Sequence, residues 1–108
     1  MIRLVDIATV IRSKNAGPYE LTLDVIFKDS TWFRRARDGV WINEELIARL
    51  YGVPRSDVFA VIPFEPANAI KATIRRPRVS AAIGETDVYG AQQHAPLLSL
   101  EFDDVEQG

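Results

Sequence analysis

The single histidine of this chain lies in a polar segment, DVYGAQQHAP, whose residue types could support acid–base chemistry. An imidazole titrates near neutral pH, so His94 is a candidate general base, and Tyr89 is a candidate proton donor. Asp87 could orient the imidazole. Two amide side chains that could hold a carbonyl or carboxylate complete the segment, Gln92 and Gln93. The alternative is a connecting loop whose amides and imidazole satisfy buried backbone groups.

A second polar segment, IRSKNAGP, combines two cations, a hydroxyl and an amide ahead of a flexible glycine. These groups are suited to binding a phosphate or carboxylate. The candidate ligand-binding residues are Arg12, Ser13, Lys14, Asn15 and Gly17. The pattern Gly-x4-Gly-Lys-Ser/Thr is absent, so the segment is not a P-loop. The alternative is a turn between two strands, in which Asn15 and Gly17 provide the turn geometry.

Composition excludes several other kinds of site. The chain has no cysteine, which excludes disulfides, cysteine nucleophiles and thiolate metal ligands. Because the chain also has only one histidine, we expect no metal site and no other cofactor. The motifs Gly-x-Ser-x-Gly, His-Glu-x-x-His and Gly-x-Gly-x-x-Gly are also absent.

The charge of the chain argues against a nucleic-acid partner. The formal net charge is −2, although FRRAR and IRRPR are locally basic. These arginines could meet an acidic partner or an anionic ligand such as a coenzyme A phosphate, or they could simply be solvated. Aromatic residues are not interleaved with them, so the pattern does not predict a stacking platform for bases.

Length and hydropathy favour one soluble α+β domain spanning 1–108. The chain has 108 residues, of which 47% are hydrophobic. No apolar run approaches the roughly 20 residues that cross a bilayer. Asp6 interrupts the apolar start of the chain and no cleavage site follows, so we expect no signal peptide, no membrane association and a cytoplasmic location.

Local patterns predict two short helices among about five strands. YELTLDVIF alternates as a half-buried strand does. Asp29 or Ser30 can begin a first helix that ends at Gly39. Asn43 can cap a second helix that ends at Gly52.

Four further segments are predicted to be strands. RLVDIATVI and AIKATIRR could each be strand or helix, and we favour strand for both. DVFAVIPFE is interpreted as a buried strand in which Pro63 indicates an edge or a bend. LLSLEF is predicted to be the last strand, with Leu98, Leu100 and Phe102 buried. Strands with helices on one side predict an α+β sandwich, ferredoxin-like or a variant of that plan.

Four segments together resemble one small family of uncharacterised domains: VIRSKNAGPYELTLDVIF, ELIARLYGVP, AIKATIRRP and TDVYGAQQHAPLL. That family is in turn similar to the ferredoxin-like C-terminal domain of the acyclic terpene utilisation (AtuA-like) proteins. There an ARSGDKG-type loop precedes a strand, and Arg12, Ser13, Lys14 and Gly17 fall on its matching part. Asn15 and Ala16 depart from that motif.

The resemblance implies a small or accessory subunit of a larger AtuA-like protein. It would act in the catabolism of acyl-CoA or organic acids, and its two polar segments would complete a ligand site. Two alternatives stay open: a stand-alone lyase or isomerase using His94, and a non-catalytic structural or ligand-binding module. In each case we expect a homo- or hetero-oligomer, because the strand edges need covering.

Overall fold

An antiparallel sheet of four strands organises the chain, which a computed structural model describes for residues 1–76 and 94–103. The elements in chain order are β1 (Ile2–Arg3), α1 (Leu4–Ile7), β2 (Ala8–Asn15), β3 (Glu20–Phe27), α2 (Ser30–Asp38), α3 (Glu44–Tyr51), β4 (Val58–Phe64), β5 (Ala69–Arg75) and β6 (Glu101–Phe102). Short 3-10 turns lie at Arg55–Asp57, Glu65–Ala67 and Ala95–Ser99. The larger sheet has the order β2-β3-β5-β4, and β1 pairs with β6 in a second, two-stranded sheet.

The connection from β3 to β4 defines the topology. It passes through α2 and α3, and β5 lies between the two strands it joins. Because β5 is antiparallel to both neighbours, β3 and β4 run parallel in a split β-α-β unit. The α+β class is therefore confirmed, and the arrangement is compatible with a ferredoxin-like sandwich.

Both predicted helices begin and end where their capping residues indicate. The Asp29 side chain accepts a hydrogen bond from the backbone N–H of Trp32 at 2.9 Å, and Asn43 accepts one from that of Leu46 at 2.8 Å. These bonds satisfy amide groups that the first helical turn leaves free. Gly52 ends α3 with a φ of 67°, a left-handed conformation that glycine adopts without a steric penalty.

One face of the larger sheet forms the core. Alternate residues of β3 point into it, and Leu21, Leu23 and Val25 are almost fully buried. The ring centroids of Phe27 and Phe33 are 6.5 Å apart, and this contact anchors α2 over the sheet. Within residues 1–76 and 94–103, the helices cover this face only, and no described helix lies over the opposite face. Among the described residues, no helix is long and apolar enough to cross a membrane.

Both DVFAVIPFE and AIKATIRR, predicted as strands, form strands. The predicted burial of DVFAVIPFE is wrong, because it is an edge strand of which Val58 alone is buried. DVFAVIPFE forms β4, and its position at the edge of the sheet explains how Pro63 is tolerated without a donor N–H. AIKATIRR forms β5, with Ile70 and Ile74 buried. Pro66 lies in the 3-10 turn immediately before it.

The N-terminal segment was predicted as a single strand, which is wrong in part. RLVDIATVI contains the end of β1, the helical turn α1 and the start of β2. Leu4 and Ile7 are both buried, and a spacing of three brings two side chains to one side of a helical turn. Alternation continues only from Ala8, where β2 pairs with β3.

The last strand was also predicted wrongly. The first half of LLSLEF belongs to the 3-10 turn Ala95–Ser99, and only Glu101–Phe102 pairs with β1. Leu98 is 42% exposed and its neighbour Leu97 only 1%, so the predicted burial of Leu98 is wrong, whereas Leu100 is buried as predicted. Pro96 favours the start of a helical turn, because its fixed φ suits it and it has no N–H to satisfy there.

Val40, which follows α2, adopts a backbone conformation that is unusual for its type. Its φ is 52°, in the left-handed region that β-branched residues avoid, and its side chain is 58% exposed. Two hydrogen bonds hold it there: its N–H donates to Arg37 O, and its carbonyl accepts from Asn43 Nδ2, both at 3.1 Å.

We expect Val40→Gly to raise the free energy of unfolding by about 1 kcal/mol. A left-handed L-residue costs about 1–2 kcal/mol, and the added freedom of glycine in the unfolded chain offsets part of the gain. Urea unfolding of the two proteins measures the difference. A less stable variant would mean that the contacts of the valine side chain outweigh its backbone strain.

Candidate functional site

The segment predicted as a cationic loop is mostly a strand. β2 continues through Asn15, and a tight turn follows, closed by a hydrogen bond from Ala16 N–H to Glu20 O at 2.9 Å. Gly17 lies in that turn with a φ of 107°, as the alternative interpretation of the segment required. Because side chains alternate along a strand, Arg12 and Lys14 share one face of the sheet.

The other two members of that predicted cluster lie on the opposite side of β2. Ser13 pairs with Leu23 and is 7% exposed, so it belongs to the core side. Asn15 pairs with Leu21, whose side chain is also in the core. The structure therefore brings Arg12 and Lys14 together and separates them from these two residues.

The face that carries Arg12 and Lys14 is called here the open face. The strand register, together with the burial of the neighbouring residues, identifies the side chains on this face. They are Val10, Arg12, Lys14, Glu20, Thr22, Asp24, Ile26, Ala60, Ile62, Phe64, Ala69, Lys71, Thr73 and Arg75.

A buried carboxylate lies in the middle of the open face. Asp24 is 2% exposed although none of the helices that the structure describes lies over it. Its Oδ2 accepts a hydrogen bond from Arg12 Nε at 3.0 Å, and its Oδ1 accepts one from Lys71 Nζ at 3.2 Å. Both cations remain about half exposed, so they cover the carboxylate while keeping contact with solvent.

Sequence reasoning missed Asp24 and Lys71 as site residues. The alternation in YELTLDVIF places Asp24 opposite the core residues, and that in AIKATIRR does the same for Lys71. These patterns assign each residue to a face. They do not indicate that β3 and β5 pair with these two residues side by side.

Next to the row of Arg12, Asp24 and Lys71 lies a second row, which consists of one lysine and two threonines. Lys14 pairs with Thr22, which pairs with Thr73. Within residues 1–76 and 94–103, the ammonium group of Lys14 forms no ion pair. The basic patch is defined as the two rows together: Arg12, Lys14, Thr22, Asp24, Lys71 and Thr73.

The β4 side of the open face is apolar. Phe59, Ile62 and Phe64 are 46%, 55% and 47% exposed, and they define the apolar strip. Phe59 is displaced by a bulge in β4, and the Arg75 guanidinium lies 5.8 Å from the centroid of its ring. Such a group of large apolar side chains on an exposed surface is typical of an interaction site.

The arginines of the two basic segments are in part engaged in local ion pairs. Arg37 Nε lies 2.9 Å from Asp38 Oδ1, a hydrogen bond that lowers the pKa of Asp38. Arg75 Nε lies 3.3 Å from Asp57 Oδ1. These contacts favour the interpretation of solvated surface charge for both segments. Arg78 lies outside the described residues.

His94 is the one member of the DVYGAQQHAP site that the structure describes. It directly precedes the turn Ala95–Ser99, which packs against α1 and α3 on the side of the core. Its Nδ1 is buried and has no hydrogen-bond partner in the described part of the chain. The other predicted site residues of this segment lie outside the described residues: Asp87, Tyr89, Gln92 and Gln93.

The two polar segments are thus placed differently. Arg12 and Lys14 project from the open face, whereas the turn after His94 packs on the helix-covered side. Among the described residues, no group of three or more metal-ligating side chains lies together. The catalytic role of His94 and the ligand-binding roles of these cations stay predictions.

The fold and this surface define a small α+β domain with one covered and one open sheet face. Residues 4–101 match a family described as Domain of unknown function (DUF4387), and the chain belongs to that family. The match confirms that the segments singled out in the sequence mark one uncharacterised family. No curated protein and no solved structure matches the chain.

Proposed function

We propose that this protein is a small accessory subunit that docks a larger protein through the apolar strip and thereby completes an anion-binding site on the open face. The observation that carries the proposal is the strip itself, three large side chains about half exposed on one strand. Burying such side chains against a partner gains about 25 cal/mol for each Å² of apolar surface removed from water.

Charge favours a different protein over a second copy of this chain. The open face carries four basic side chains, Arg12, Lys14, Lys71 and Arg75, and two acidic ones, Glu20 and Asp24. A two-fold dimer through this face would bring the two positively charged surfaces together. A partner with acidic groups, or one that shares an anionic ligand, is complementary to it.

The edge of the sheet favours docking through side chains. Pro63 lies in the edge strand β4 and provides no N–H for an added strand. The apolar strip beside it offers Ile62 and Phe64 instead. The partner would therefore pack on the face of the sheet.

The identity of the partner is proposed from the resemblance of IRSKNAG to the loop of AtuA-like C-terminal domains. It would be a larger AtuA-like subunit in the catabolism of acyl-CoA or organic acids. The separate placement of Arg12 and Lys14 from the turn after His94 favours this role over a stand-alone lyase or isomerase, which needs these groups at one site.

Co-purification tests the proposal. The tagged chain, expressed at its natural level in its source cells, is expected to recover an AtuA-like subunit in a stoichiometric complex. Ile62→Asp is expected to weaken that complex at least about tenfold, because a charge is buried at the centre of the strip. Leu98→Asp is the matched control, since Leu98 is also exposed but lies outside the open face.

The proteins recovered with each variant distinguish docking through the apolar strip from the alternatives. Recovery of the AtuA-like subunit with the Leu98 variant and its loss with the Ile62 variant supports docking through the strip. Recovery of the chain with itself alone overturns the accessory role. Equal recovery with both variants overturns the assignment of the surface. Circular dichroism of each variant verifies that it is folded.

A further inference from the structure

We propose that Arg12, Lys14 and Lys71 form a binding site for the phosphate group of a small ligand on the open face. The proposal rests on the proposed function for its biological setting, since this would be the ligand of the site that a partner completes. Every group that contacts the phosphate belongs to this chain, so the isolated protein is sufficient to test it.

The buried carboxylate orients two of the three cations. Asp24 uses both oxygens, one for Arg12 Nε and one for Lys71 Nζ. A guanidinium has five N–H groups, so Arg12 keeps those of its two terminal nitrogens, and Lys71 keeps two of three. Because these side chains are already held, binding an anion costs less conformational entropy than it would for free ones.

The strand register brings the donors within reach of one point. Neighbouring strands lie about 4.8 Å apart and alternate residues about 6.7 Å apart, which puts each corner of the basic patch about 6 Å from its centre. Arginine and lysine side chains span that distance. Lys14 on β2 and Lys71 on β5 lie at diagonally opposite corners of the patch, and Thr22 and Thr73 complete the row of Lys14.

The charge of the basic patch matches a phosphate group. Three cations and Asp24 leave a net charge of +2. A phosphate monoester carries about −1.5 to −2 at pH 7 and has three strong acceptor oxygens. A ligand with a single carboxylate would neutralise only part of this positive charge and would leave several hydrogen-bond donors without an acceptor. Both oxygens of Asp24 are occupied, so the site offers no free carboxylate acceptor for a cation.

A phosphate could also belong to a nucleic-acid backbone. Binding single strands without sequence preference relies on aromatic side chains that stack on successive bases. The two described rows of the basic patch contain no aromatic residue, and the phenylalanines of the apolar strip lie on β4 beyond them. The arrangement favours a small phosphorylated ligand.

A titration followed by ¹H–¹⁵N correlation NMR tests the site. Inorganic phosphate and then pyrophosphate are added to the isolated chain at constant ionic strength, with chloride as the balancing anion. We expect saturable shifts at 12–14, 22–24 and 71–73. Lys14→Gln is expected to weaken binding about tenfold, the loss of one charge-assisted contact of about 1.4 kcal/mol. Lys28→Gln, an identical change at an exposed lysine beyond the end of β3 and away from the basic patch, is expected to leave it unchanged.

Three results would overturn the inference. One is a dissociation constant that Lys14→Gln leaves unaltered, and a second is a set of shifts spread over the whole surface. The third is tighter binding of a short single-stranded oligonucleotide than of pyrophosphate through the same residues, which would assign the patch to nucleic acid. The NMR spectrum of each variant also shows whether it is folded. No partner is present, so these results are independent of docking.

Discussion

Replacing both cations beside Asp24, as Arg12→Met with Lys71→Met, is expected to lower the free energy of unfolding by about 3 kcal/mol. The carboxylate is 2% exposed and would lose both hydrogen-bond partners at once. Breaking a buried ion pair from one side costs about 3–5 kcal/mol. The low end applies because Arg12 and Lys71 are themselves about half exposed, so water reaches the carboxylate when they are shortened or turned away.

Arg12→Met alone or Lys71→Met alone is expected to lower the free energy of unfolding by only about 1 kcal/mol, because one cation stays beside Asp24. Adding Asp24→Asn to the double variant is expected to restore most of the loss, since a neutral amide is less costly to bury than an unpaired carboxylate. Lys14→Met is the matched control: it lies on the same face and has no described ion pair, so its effect is near zero.

Urea unfolding of the five variants and the unchanged protein, at pH 7 and low salt, measures these differences. If the triple variant were no more stable than the double, the loss would come from side-chain packing and not from the unpaired charge. The same comparison decides whether Asp24 is a structural support for the two cations, as the phosphate site requires.

Leu97→Ala is expected to destabilise the protein by about 3 kcal/mol, and Leu98→Ala by less than about 0.5 kcal/mol. Leu97 is 1% exposed and belongs to the core with Leu4 and Leu100, whereas Leu98 is 42% exposed. Truncating a buried leucine removes apolar contacts and leaves a cavity that the neighbours fill only in part.

The pair of neighbouring leucines makes this a sharp test of the turn Ala95–Ser99. For each variant, the shift of the denaturant midpoint at an unchanged m-value gives the loss in free energy of unfolding directly. A larger loss at Leu98 would mean that LLSLEF is a strand with the opposite side chains in the core. Equal losses would mean that both leucines are buried.

The correct sequence predictions rest on interactions between close neighbours. Asn43 caps α3 through the N–H of Leu46, three residues away, and the alternation of β3 assigns Leu21 and Leu23 to the core. Capping and alternation are visible in a short window of sequence. For the same reason Gly52 marks the end of its helix.

The wrong prediction for LLSLEF has a tertiary cause. Its alternating leucines fit a strand, but β1 offers only Ile2–Arg3 as a pairing edge, so the ladder is limited to two residues. The backbone before it closes a 3-10 turn instead, through the hydrogen bond from Leu97 N–H to His94 O at 2.8 Å. The two residues that do pair with β1 are held further by the ring of Phe102, which stacks on Trp41 with centroids 5.0 Å apart.

By itself the sequence determined the boundaries of α2 and α3, the faces of the central strands and the absence of cysteine. Only the tertiary structure placed Asp24 between Arg12 and Lys71, and so turned three separate charges into one organised patch. The physical reason is strand register: Asp24 and Lys71 are 47 residues apart, and which residues become neighbours depends on packing of the whole sheet against its helices.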